Sequence, residues 1–192
     1  MTTDALLAIA VGLGLAAASG LRVFLPLFVL GVAAASGTVP LAEGWQWVGS
    51  QPALIGLGTA MVLEIAAYYV PWVDQALDVV ATPAAVIAGM VASASVLVDL
   101  PPLVKWAIVI IGGGGIAGLT QGASVLARLK STTLTGGLGN PLVASVELVG
   151  ALVVALLAVL LPIVGLLVAL FTLGWLLRRA WRRRRTATPA PV

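Results

Sequence analysis

The chain has 192 residues, 61% hydrophobic and only 9% charged, with a net charge of +3. A soluble domain carries roughly a quarter charged residues, so this chain lacks the polar surface to cover a water-facing globule. A mean hydropathy of +1.15, carried by long apolar runs and not by strand-like alternation, excludes disorder and disfavours a β-barrel, leaving an all-α, polytopic transmembrane helix bundle.

In chain order, apolar stretches place six passes at residues 5–35, 53–70, 83–98, 103–127, 142–161 and 163–177. The first begins with Met1-Thr2-Thr3-Asp4, an acid where a signal peptide needs a basic segment, and is expected as a retained helix. The last two are separated only by Pro162. One helix over both would run to about 50 Å against a hydrocarbon core of about 30 Å, so a tight turn is expected at residues 161–165. Residues 1–179 then form one transmembrane domain and residues 180–192 a basic tail.

Arg128, Lys130 and the six arginines from Arg178 to Arg185 fall on one side of a six-pass arrangement. The positive-inside rule makes that side cytoplasmic, with both termini there and Lys105 outside. Trp45, Trp47 and Trp106 would mark the outer interface, and Trp72, Trp175 and Trp181 the inner one. The tail reads as an orientation anchor or as a contact for anionic lipids or a partner. Because the arginines directly follow a hydrophobic run, the isoelectric point of ≈ 10.0 is not a nucleic-acid signal.

Gly12-Leu13-Gly14-Leu15-Ala16-Ala17 echoes Gly113-Gly114-Gly115-Ile116-Ala117-Gly118, and each half follows with a glutamate-bearing pass, Glu64 and Glu147. Three passes per unit would give an inverted 3+3 repeat of residues 5–98 and 103–177, with broken helices, as in many transporters.

The chain has no His and no Cys, which removes thiol nucleophiles, Cys/His zinc sites, iron–sulfur clusters and His-ligated haem; no cofactor, metal or enzymatic reaction is expected. Arg22 stands inside the first apolar run, within Ser19-Gly20-Leu21-Arg22-Val23-Phe24-Leu25-Pro26. A charge at membrane depth needs a partner or a cavity, and Ser19, Gly20 and Pro26 mark a place where the helix can break. Glu64 and Glu147 are its candidate partners. The group reads either as a structural pair locking helices or as a midplane site for an ion or small solute, with Gln121 and Asn140 as uncharged ligands.

Residues 131–141, Ser-Thr-Thr-Leu-Thr-Gly-Gly-Leu-Gly-Asn-Pro, read as a plain loop or as a re-entrant segment exposing backbone carbonyls and a helix N-terminus. Thr120, Gln121 and Ser124 would face that cavity or bond neighbouring helices. Val70 to Asp78 reads as a short amphipathic surface helix whose Asp74 and Asp78, four apart, share a face as an inner-surface acidic pair. Gly112 to Gly115, with no Lys-Ser/Thr following, is a close-packing seam or a flexible point and not a phosphate loop.

With Gly20-Leu21-Arg22-Val23-Phe24-Leu25-Pro26-Leu27-Phe28, Glu64 leading into Pro71-Trp72-Val73-Asp74 and Asp78, and Asn140-Pro141 followed by Ser145 and Glu147, the chain resembles a bacterial membrane family, domain of unknown function 4126. The resemblance implies a multi-pass protein of the bacterial inner membrane, of unassigned activity. It also implies charge at places where this chain carries Tyr68, Tyr69 and Thr82. The reading favoured by the intramembrane charges is a small transporter or channel for an ion or small solute, with a second copy where one chain cannot enclose a pathway. The alternative is a non-catalytic scaffold or accessory subunit.

Overall fold

A computed structural model of the chain describes residues 3–70, 73–98 and 100–185. Seven helices follow in order: α1 (Thr3–Ser19), α2 (Phe24–Ala35), α3 (Gln51–Tyr68), α4 (Val73–Val96), α5 (Pro102–Thr135), α6 (Asn140–Leu160) and α7 (Pro162–Arg185). A short 3₁₀ turn at Gln46–Gly49 precedes α3, and no strand occurs among the described residues. In lipid every backbone N–H and C=O must find a partner within the chain, which helices provide. Four helices, α3 to α6, are long and apolar enough to cross a membrane, while α1, α2 and Pro162–Phe171 are shorter apolar helices.

The distribution of side chains is that of a protein dissolved in lipid. On α3 only Glu64 and Tyr68 are buried, whereas Ile55 and Leu63 are 63% and 64% exposed. A water-soluble helix turns its polar side outward; α3 does the reverse.

Helix α1, apolar on every side, is the hub, packed by α4, α6 and α7. Its Leu15, Ala16 and Ala18 are fully enclosed. Small residues permit this: Gly14 lies against Ala158 of α6 and Gly12 against Ser93 of α4, whose hydroxyl donates to the Gly12 carbonyl at 3.2 Å. Gly89 of α4 and Gly113 of α5 abut each other's backbone, so that a methyl group on either would overlap the other's carbonyl oxygen. The glycine run is thus a packing seam, and it lies in a π-helical stretch, Ile108–Gly114.

Four expectations need correction. The run 5–35 is not one pass but two antiparallel helices. Asp4 and Leu7 of α1 line the same ≈ 280 Å³ cavity as Thr38, Val39 and Pro40 beyond α2, together with Val96 and Pro162. The reversal lies at residues 20–23, where Gly20 presses against Ala117 and Thr120 of α5. Pro26, expected to help break the helix, sits in the first turn of α2, where its missing N–H costs nothing.

The acidic surface helix and the third pass are one continuous helix, α4, with Pro83 inside it. Pro83 leaves the Val79 carbonyl without its helical donor, and the Thr82 hydroxyl bonds the neighbouring Asp78 carbonyl at 2.8 Å. Residues 131–135 continue α5, which closes on Gly136 in the left-handed region at φ 63°. Of the two readings of residues 131–141, a plain loop and a re-entrant segment, neither holds throughout: residues 136–139 form a turn and Asn140 already belongs to α6. Finally, the two halves do not match in layout: the first holds four helices and the second three, and α5 runs on where α1 ends and the chain reverses.

The tight turn expected near Pro162 is found, with Leu161 alone between α6 and α7. Because α7 starts beside Asp4 and stays helical to Arg185, Thr3 and Arg185 lie at opposite ends of the bundle, not at one end as expected. Trp72, Asp99, residues 186–192 and the side chains of Trp175, Trp181, Arg179 and Arg182 to Arg185 lie outside the described residues. With them lie the inner tryptophan belt and the lipid contacts expected of the tail.

Candidate functional site

Helical spacing brings the polar residues to one end of the bundle, where α3 passes to α4 and α5 to α6. Glu64 and Tyr68 are one turn apart on α3, and Asp74 and Asp78 one turn apart on α4. Gln121, Ser124, Arg128 and Thr132 follow one face of α5, and Asn140, Ala144 and Glu147 one face of α6. Arg22 enters from the α1–α2 reversal. Glu147 and Arg128 lie about 10 Å from the ends of their helices at 1.5 Å per residue, so the cluster sits nearer one end of the bundle than the other.

Glu147 is the centre. Its Oε2 accepts from Arg22 at 3.3 Å and from Arg128 in a short contact, while Oε1 accepts from the Ser124 hydroxyl. Arg22, fully enclosed, also donates to the Ala144 carbonyl at 2.8 Å and to its neighbour Leu21 at 3.2 Å. Arg128 reaches across to Asp78 Oδ1 at 2.6 Å. The Tyr68 ring contacts both guanidiniums, 4.1 Å from Arg22 and 3.8 Å from Arg128. Its hydroxyl donates to the same Asp78 oxygen at 3.2 Å. A neutral aromatic thus attracts both cations through its π system.

Glu64, the other candidate partner of Arg22, does something different. It accepts backbone hydrogen bonds from Val23 at 2.7 Å and Phe24 at 3.0 Å, and Val23 supplies no side-chain cap of its own. A carboxylate from α3 therefore caps the N-terminus of α2, satisfying donors that the reversal leaves without helical carbonyls and meeting the positive end of the helix dipole. Beside it a mainly apolar cleft of ≈ 350 Å³ is lined by Phe24, Leu63, Leu77 and Val80.

The acidic pair needs correction as well. Asp74 is buried and Asp78 nearly so, its side chain 12% exposed. They do not act together: Asp78 faces Arg128 and Tyr68, while Asp74 accepts from Asn140 Nδ2 at 2.6 Å and from the Gln75 backbone at 2.8 Å. Asn140 also bonds Thr132 at 3.0 Å, tying the two sides of the α5–α6 turn. Among the described residues no three acids gather in a way that could hold a metal ion.

The structure therefore brings Arg22, Glu147 and Asp78 into one network with Arg128 and Tyr68, with Glu64 capping the adjoining reversal, Gln121 on the same α5 face and Asn140 joined to Asp74 alongside. Sequence reasoning missed Arg128, assigned to the cytoplasmic loop, and Tyr68. The available signal was spacing: Arg128 follows Gln121 by seven and Ser124 by four, one helical stripe that a pass ending at Ala127 cuts off.

Comparison with curated proteins and with solved structures gives no match. A family model does match, over residues 9–183, and this span takes in Arg22, Glu64, Asp74, Asp78, Gln121, Arg128, Asn140 and Glu147; the chain belongs to the family described as Domain of unknown function (DUF4126).

Proposed function

We propose that this membrane protein is a small, non-enzymatic transporter or channel whose polar site is the Arg22–Glu147–Arg128 cluster with the Glu64-capped reversal beside it. The observation that carries the reading is the reversal itself. Between α1 and α2 the chain leaves regular helix beside a fully enclosed arginine, and the backbone N–H groups of Val23 and Phe24 turn to a carboxylate of another helix. Non-helical backbone inside a membrane bundle is tolerated where it is buried in protein or lines a cavity, and half-helix N-termini beside charged groups are a recurring design of transport sites.

The end of the bundle holding Arg128, Lys130 and the Arg178 end of α7 is assigned to the cytoplasmic side by its positive charge. The start of α1 then faces the other side. Anionic lipid at the Arg178 to Arg185 end and a second copy of the chain belong to the same proposal.

The test is flux of ions and small solutes into proteoliposomes holding the purified chain. Uptake above that of empty liposomes, lost in Glu64→Gln at matched folded protein, supports transport. Wild-type flux no greater than that of empty liposomes across a broad solute panel refutes it. A second reading, a scaffold, is favoured by the way Arg22, Tyr68, Asp78, Arg128 and Glu147 tie the reversal to four helices while nearly sealed from solvent. It predicts that Glu64→Gln and Glu147→Gln lower stability with no flux to lose, whereas transport predicts that Glu64→Gln at matched folded protein abolishes flux.

A further inference from the structure

We infer that the cleft between α2, α3 and α4 is a binding site for a lipophilic organic cation, a membrane-soluble onium ion or amine, whose charge is met by Glu64. This names the substrate class of the proposed transport site and rests on that reading for its physiological role.

The cleft is one space with a carboxylate in its wall. Its ≈ 350 Å³ are lined by Phe24 of α2, by Ala60, Leu63 and Glu64 of α3, and by Leu77 and Val80 of α4. Small-molecule sites usually enclose about 300–1,000 Å³. Leu63 and Val80, each 64% exposed, flank it on the outward face of their helices. The approach is therefore sideways from the bilayer, where a lipophilic solute dissolves.

Charge selects the occupant. Three acids, Glu64, Asp78 and Glu147, lie with two arginines, Arg22 and Arg128, and the ion pairs among them run to Glu147 and Asp78. Glu64 has none among the described residues. Arg22, next to Val23 in the chain, directs its terminal nitrogens to Glu147 and to backbone carbonyls. The two Glu64 oxygens accept one backbone N–H each, from Val23 and Phe24, and each has a lone pair left for a second partner. The α2 dipole offsets about half a charge, so the wall of the cleft stays negative.

An anion is repelled there, and a lipid acyl chain would leave the carboxylate without a counter-charge in a low-dielectric site. A metal ion needs several oxygen ligands, and apart from Glu64 the side chains lining the cleft are those of Val, Phe, Ala and Leu. What fits is a cation whose charge is carried on an apolar body, with Phe24 as an aromatic wall.

The test is equilibrium dialysis of labelled tetraphenylphosphonium against the purified full chain in detergent, with protein-free micelles as the blank and tetraphenylborate, an anion of the same shape, as the comparison. Saturable binding of the cation is expected, with an affinity about tenfold or more above that of the anion. Glu64→Gln keeps an acceptor for α2 and removes the charge; Ala60→Leu fills the cleft from α3, the least buried of the spanning helices, and leaves Glu64 in place. Each is expected to weaken cation binding about tenfold at matched folded protein. The comparison of the two ions uses the wild-type chain and needs no variant to fold. No saturable cation binding, equal binding of the two ions, or a folded variant of either kind that binds as wild type does would overturn the inference. Saturable binding with no flux of any solute would refute transport and leave the cation site standing; flux of another solute with no cation binding would do the opposite.

Discussion

The two ends of the bundle are held together by opposite means. Along the second half of α1 and the π-helical stretch of α5, helices approach through small residues, Gly12 and Gly14 on α1, Gly89 on α4, Gly113 on α5 and Ala158 on α6, with one hydroxyl, Ser93, bonded across. Around the α1–α2 reversal the helices meet through two arginines, a shared glutamate, an aspartate and a tyrosine. In lipid there is no hydrophobic force to press helices together, so close van der Waals contact and polar bonding must do it. The first kind of contact suits a rigid seam. The second is costly to bury and is worth having where charge serves a further purpose.

Substitutions at the two ends should separate these contributions, read as unfolding free energies in detergent or bicelles. Glu147→Ala is expected to have the largest effect, a loss of about 3–5 kcal/mol, because it strands Arg22 and Arg128 in a sealed interior. Gly113→Val tests the other end: its side chain must displace Gly89 or Ser93, with an expected loss of about 1–3 kcal/mol from overpacking. Tyr68→Phe keeps the ring against both guanidiniums and removes only the bond to Asp78, for about 1 kcal/mol. Ser93→Ala should cost least, about 0.6 kcal/mol, the usual value of a single hydrogen bond between membrane helices. If Glu147→Ala proved no more damaging than Ser93→Ala, the contrast between the ends would collapse.

What the sequence made legible follows the same division. Hydropathy located the apolar helices and the turn at Leu161, because each reflects local composition and chain length. It also singled out Arg22, Glu64 and Glu147, since an ionisable group in an apolar run stands out against its neighbours. Partner choice was not legible. Whether Arg22 meets Glu64 or Glu147 depends on the direction in which α2 leaves the reversal, and an apolar run of 31 residues looks alike whether it crosses once or folds back.

Asp74 and Asp78 misled for a related reason. At the start of a helix two acids are commonly solvated, and only the packing of α5 against α4 gives Asp78 its arginine. Arg128 was hidden by the positive-inside rule itself, which counts charge near helix ends without saying which charges turn inward.

The most direct test of a functional site against an internal lock uses the absence of native cysteine. Ser124→Cys places one thiol at the buried hydroxyl beside Glu147, and vesicles of known orientation are exposed to a membrane-impermeant thiol reagent. The account predicts slow labelling from the Arg178 side in the folded protein, as the cluster opens to admit its solute. A thiol that stays inert from both sides until the protein is unfolded would contradict it and leave the arginines and acids as a lock alone.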